Sequence, residues 1–394
     1  MNRLSIVILL FFSLMTKAEG LSGFLYGSKE GPDGTEWQNP EALSLNKEQP
    51  HAYMFPFACE EEAVKVLPEC SSYYQCLDGI WKFHWVPSPD KRPKDFYQPE
   101  YNVSAWDDIK VPGCWNVQGL HKDGTMKYGV PIYVNQPVIF YHEVKEGDWR
   151  EGVMRKPKDE RYTTYKYPNE VGSYRRSFVL TTGWHQNHTK DVFVNFDGVD
   201  SFFYLWINGK YVGFSKNSRN TASFNITPYL NQSGENVLAV EVYRSCDGSF
   251  LESQDMFRLP GIFRSVYLTA MPKVRISDLV VRTTKLSKDE ATISIDGTFA
   301  NKSGKKQKGL KVYYSIYPVK LYSDECTDPV KKAEVPVMDN GQLSTVNCQL
   351  SMDNPHPWSA EAPYRYVLVA ELKDKKGKLL DCTSTYFGIR TVEI

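Results

Sequence analysis

Residues 196–219 read FDGVDSFFYLWINGKYVGFSKNSR. An apolar run at 202–207 enters Asn208-Gly209 and leaves as KYVGF at 210–214. Asn-Gly between two such runs signals a hairpin, because both residues tolerate the positive φ of a tight primed turn. Working outward, Val192, Val194 and Phe196 alternate with Phe193 and Asn195. Leu238, Val240 and Val242 mark one face of a further strand, and Val266 and Leu268 one face of another. Helical patterning is scarce: Asn39-Pro40-Glu41 suits one short capped turn, and EEAVKVL at 61–67 another. The reading is an all-β sandwich, not an α/β fold.

A boundary falls near Met271-Pro272-Lys273, beyond which the texture changes. Ile293 and Ile295 precede a polar turn, ANKSGKKQKG at 300–309. Leu310, Val312, Tyr314 and Ile316 then alternate with Lys311, Tyr313 and Ser315, and Tyr366, Leu368, Ala370 and Leu372 repeat the pattern. Short strands at this spacing predict an immunoglobulin-like sandwich over 273–394. The charged stretch 145–170 lacks a clean period and reads as a solvated insertion.

Composition narrows the function. The chain has 394 residues, enough for two domains, and its 47 basic residues balance 47 acidic ones. That balance gives no case for nucleic acid as a partner. Met1-Asn2-Arg3 followed by LSIVILLFFSLM at 4–15 and Thr16-Lys17-Ala18 has the form of a secretory signal over 1–18. Twelve residues are too few to span roughly 30 Å of hydrocarbon as a helix, so export without a membrane span is expected. Eight cysteines occur without any C-x-x-C pair, which argues against a zinc ribbon or a thioredoxin-type site, and a chain of this length needs no disulfide staples, so free buried thiols are expected.

Familiar catalytic signatures are missing. The sequence has no G-x-S-x-G elbow and no glycine-rich phosphate loop. His185 and His188 are close but lack a third ligand on a regular element, so they read as a polar loop. The N-x-[ST] triplets at Asn102, Asn187, Asn225, Asn231 and Asn301 matter only in a glycosylating host. What remains is CDGSFLESQDMFRLPGIFRSVYL at 246–268, where Asp247, Glu252 and Asp255 sit among large apolar groups. Carboxylates in such company need partners.

The segment YRSCDGSFLESQDMFRLPGIFRSVYL (243–268) closely resembles the N-terminal sugar-binding domain of β-galactosidases of glycoside hydrolase family 2. EWQNPEALSLNKEQPHAYMFPF (36–57), LDGIWKFHW (77–85), VPGCWNVQG (111–119), YGVPIYVNQPV (128–138) and the opening stretch follow in family order. NPHPWSAEAPYRYVL (354–368) and FGIR (387–390) match the domain that precedes the catalytic barrel. The resemblance implies a lead segment at 19–60, a galactose-binding-like jelly-roll sandwich at 61–272 and an immunoglobulin-like sandwich at 273–394. It favours β-galactosidase over the glucuronidase and mannosidase relatives.

It also implies a retaining hydrolysis of terminal β-galactosides, carried by two carboxylates about 5–5.5 Å apart. In the family both are glutamates on a (β/α)₈ barrel that follows the second sandwich. No catalytic residue carries over to this chain, and the chain alone is expected to be inactive. Asn135, in IYVNQP, matches an asparagine lent to the rim of the galactose pocket. Asp255, in SQDMF, matches an aspartate that touches galactosyl hydroxyls and a bound sodium ion. A bland alternative pairs Asp255 with Arg258 or Arg264 in a turn. Asn39 and Asp247 match ligands of an outer magnesium site, but Lys216 stands where the family has an amide ligand. Glu252 matches no functional position. Implied partners are a β-galactoside and a catalytic barrel, in the same gene product or in a complementing chain; a homo-oligomer stays open. A free-standing carbohydrate-binding or scaffolding β-sandwich protein is the alternative from another class.

Overall fold

The computed structural model describes residues 31–32, 34–133, 169–184, 189–231, 233–252, 256–338 and 343–392. The leader predicted at 1–18, the charged stretch as far as residue 168, and His185 and His188 lie outside them. The described residues form strands joined by turns and one-turn helices, and no helix among them is long and apolar enough to cross a membrane. They fall into two compact units, one drawn from within residues 1–48, 77–180 and 194–266, the other from within 49–76, 181–193 and 267–394.

In the first unit the Asn-Gly hairpin forms as read. Phe202–Ile207 and Lys210–Ser215 pair antiparallel, with Asn208 at φ 51° and Gly209 at φ 78° between them. They sit inside a seven-stranded antiparallel sheet. Its order is Ser44–Leu45, Lys210–Ser215, Phe202–Ile207, Glu235–Tyr243, Val171–Val179, Gly79–Val86 and Asp107–Val111. Every residue of Phe202–Ile207 is buried, so both faces of this central strand are covered. On one face Phe203 lies against Phe196 and Phe224, from the strands Lys190–Phe196 and Ala222–Asn225, which makes the unit a sandwich. On the other, Phe202, Tyr204 and Trp206 join Trp37, Phe96 and Tyr243 in an aromatic cluster. The lead segment enters this cluster through Trp37, stacked 5.6 Å from Tyr243. Gly213 is required beneath it, since a Cβ there would come within 2.1 Å of the Leu45 carbonyl oxygen.

The second unit contains two antiparallel sheets. One orders Val274–Leu286, Glu290–Asn301 and Leu343–Asp353, the other Lys331–Val337, Leu310–Pro318, Tyr366–Lys373 and Leu379–Phe387. Ile293, Ile295 and Phe299 from the first sheet meet Leu310, Val312, Tyr314, Ile316 and Leu368 from the second in one core. The alternation therefore places the inner face correctly. The outer face of Tyr366–Lys373 is buried as well: Val367 and Val369 pack with Phe55, Phe57 and Ala63 of the segment 49–76. The predicted turn at 61–67 appears as the single helical turn Glu60–Ala63.

The all-β expectation is met by both units. One structural consequence is pH dependence. Burial raises three carboxyls, Glu241 to about 7, Asp200 to about 6 and Asp381 to about 6. A carboxyl raised on folding holds its proton in the native state after the unfolded chain has released it. Its contribution is complete below pH about 4 and lost as pH rises through 6–7. Urea titrations should therefore show stability falling between about pH 4 and pH 7, by on the order of 1–3 kcal/mol. His84, whose pKa burial lowers, acts in the opposite sense. Glu241→Gln should flatten the profile; a slope unchanged in that variant would remove Glu241 as its source.

Candidate functional site

The 246–252 turn is held from two sides. Cys246 donates its N–H to Ser249 Oγ at 3.0 Å, opening the one-turn helix Asp247–Phe250. Asp247, 3% exposed, receives the ammonium of Lys216, with Nζ 2.6 Å from Oδ1. The same Nζ donates to the main-chain oxygen of Asn39 at 2.6 Å. Two residues along, Ser218 donates its N–H at 2.8 Å and its hydroxyl at 2.6 Å to the Glu252 carboxylate. Glu252 thus acts as a staple between two loops, a role invisible from its place in the motif.

Beside this turn Asp200, 3% exposed, accepts from Arg219 at 3.1 Å, and this guanidinium partly opposes the burial that raises the Asp200 carboxyl. Arg258 and Arg264 turn to main-chain oxygens: Arg258 donates to Ser249 O at 3.2 Å, and Arg264 to Arg219 O at 2.8 Å.

Asn135 and Asp255 lie outside the described residues, but the strands that lead to them are paired. Ile132–Tyr133 and Phe257–Arg258 form an antiparallel ladder with Tyr133 opposite Phe257 and Arg258 opposite Ile132. Two stretches more than a hundred residues apart in sequence are thereby brought side by side. Behind the ladder sits a buried ion pair that the sequence reading did not single out. Glu170 is fully buried and pairs with Arg244 at 2.5 Å, and Arg244 also donates to Val130 O at 2.9 Å. Glu170 further accepts the indole N–H groups of Trp115 at 3.3 Å and Trp85 at 3.4 Å. Gly129 is closed to a side chain, because a Cβ would lie 2.4 Å from Glu170 Oε1.

The residues named for magnesium do not fit a divalent ion. A lysine ammonium already lies on the Asp247 carboxylate, and the Asn39 side-chain oxygen accepts the Glu41 N–H at 3.0 Å. Among the described residues no group of three or more His, Cys, Asp or Glu is arranged to hold a metal.

Comparison with known proteins gives the same picture from another direction. Residues 156–272 match the model of the glycosyl hydrolases family 2 sugar binding domain, and residues 274–390 match a second glycosyl hydrolases family 2 model. The chain is 37% identical over 364 residues to a β-galactosidase of Priestia megaterium, covering 91% of this chain and 32% of that protein. It is 32% identical to the β-galactosidase large subunit of Lactobacillus helveticus, covering 90% of this chain and 52% of that one. A solved β-glucuronidase of Bacteroides uniformis shares the fold at TM-score 0.58 and 23% identity, over 80% of this chain and 32% of the other. The chain thus spans 31–32% of the length of the first curated relatives it matches. The chain belongs to glycoside hydrolase family 2, with the sugar-binding domain and the immunoglobulin-like domain of its β-galactosidase-like members.

Proposed function

We propose that this chain forms the non-catalytic wall of the galactose pocket in an exported β-galactosidase that releases terminal β-galactosyl residues. The reading rests on one observation, the ladder between Ile132–Tyr133 and Phe257–Arg258, which joins the IYVNQP and SQDMF stretches. In this reading Asn135 and Asp255 bind galactosyl hydroxyls, a task suited to an amide and a carboxylate. Asp255 also offers an oxygen to sodium once other ligands complete the site. The two catalytic glutamates come from a barrel, either in continuing sequence or in a separate chain. The likeness to a relative named as a large subunit supports a multi-chain enzyme. Export rests on the pattern of residues 1–18, and the domain limits 61–272 and 273–394 belong to the same proposal.

The purified 394-residue chain is expected to give no turnover of an aryl β-galactoside and no calorimetric heat with millimolar galactose. Co-expressed with the remaining two thirds of the Priestia megaterium relative, it should restore turnover. Asp255→Ala should then lower kcat/KM about 10- to 100-fold, the range for losing a hydrogen bond to a charged group. Turnover by the chain alone, abolished by Asp255→Ala, would overturn the division of labour. Sugar binding by the chain alone would favour a free-standing carbohydrate-binding module.

A further inference from the structure

The geometry points to Lys216 as a built-in cation: its ammonium takes the place of a divalent metal and makes the junction of three loops metal-independent. This holds whether or not the assembled protein acts on galactosides.

Three stretches distant in sequence meet at one nitrogen. Lys216 Nζ contacts Asp247 Oδ1 and the Asn39 main-chain oxygen, each at 2.6 Å. The Lys216 main-chain N–H donates to Leu43 O at 3.2 Å, so the lead segment is held by backbone and side chain together. Both charged groups are buried, Lys216 to 5% exposure and Asp247 to 3%. A buried carboxylate requires a counter-charge, and here the chain supplies it covalently.

A magnesium ion would require near-octahedral oxygen ligands at about 2.1 Å. The ammonium lies in direct contact with the Asp247 carboxylate, carries like charge, and has no lone pair to offer. The Asn39 side-chain oxygen is engaged by the Glu41 N–H. The consequence extends along the loop. Lys216 fixes Asp247 at the start of the turn, and Ser218 fixes Glu252 at its end. The turn that precedes the QDMFR stretch is therefore clamped at both ends by side chains, and no chelator can strip that clamp.

The test is a set of thermal melts on the full chain. At matched ionic strength, about 10 mM magnesium chloride and excess EDTA should give Tm values within about 1 °C of each other, since a metal that does not bind the native state cannot stabilise it. Lys216→Met and Asp247→Asn should each lower Tm by about 5 °C or more, and the double variant by clearly less than their sum. A magnesium-dependent rise of several degrees in the unaltered chain, with saturable heat in calorimetry, would overturn the inference. So would an unchanged Tm in Lys216→Met, or strict additivity in the double variant. If the single variants do not fold, the comparison of magnesium with EDTA on the unaltered chain decides the matter.

Discussion

Glu170→Ala is expected to lower the unfolding free energy by about 3–5 kcal/mol, the range for breaking a buried pair by removing one partner. The loss is more than one contact. Arg244, 5% exposed, would be left with a buried positive charge, while the buried indole N–H of Trp115 would lose the Glu170 carboxylate as its acceptor. Each buried donor without a partner adds a desolvation penalty of about 1–3 kcal/mol unless water reaches it. Glu170→Gln keeps an acceptor for the indoles but not the counter-charge, so it should fall between the alanine variant and the unaltered chain. Urea denaturation followed by tryptophan fluorescence measures both. A loss below about 1 kcal/mol in Glu170→Ala would show that the carboxylate is dispensable to the unit.

Trp206→Ala should cost a similar amount, about 3–5 kcal/mol, for a different reason. Trp206 is 4% exposed and stacks on Tyr97 at 5.0 Å with the rings 6° from parallel; Phe96 meets it edge-on at 5.7 Å. The surroundings cannot easily collapse into the space. Arg175 holds the 96–99 loop by donating to the main-chain oxygens of Phe96 and Gln98, which fixes the rings that line the hole. Trp206→Phe should recover more than half of the lost stability in the same urea denaturation, followed by circular dichroism. Equal losses for alanine and phenylalanine would mean that the indole acts through something other than volume.

The strands were legible because one-face burial writes itself as alternation. Leu310, Val312, Tyr314 and Ile316 point to one core and are buried as the pattern requires. The hairpin was legible because Asn208-Gly209 adopts the positive φ values that few residue pairs accept. Second-face burial was not legible. Val367 and Val369 look like outward residues of an alternating strand until the 49–76 segment is folded over them, a non-local event that no local period encodes. The site divides in the same way. The QDMFR and IYVNQP stretches could be singled out by resemblance, but their neighbourhood depends on the register Tyr133 to Phe257. From sequence Lys216 reads only as a poor ligand; that it carries the charge Asp247 needs follows from three loops meeting, not from any one of them.

The outermost strand of the four-stranded sheet, Lys331–Val337, has a consequence beyond its own unit. An open sheet edge is a template on which another molecule can add a strand. This one reads KKAEVPV: Lys331, Lys332 and Glu334 bring charge to it, and Pro336 has no N–H to offer a newcomer. The same seven residues that complete the sheet from within therefore discourage strand addition at this edge from without.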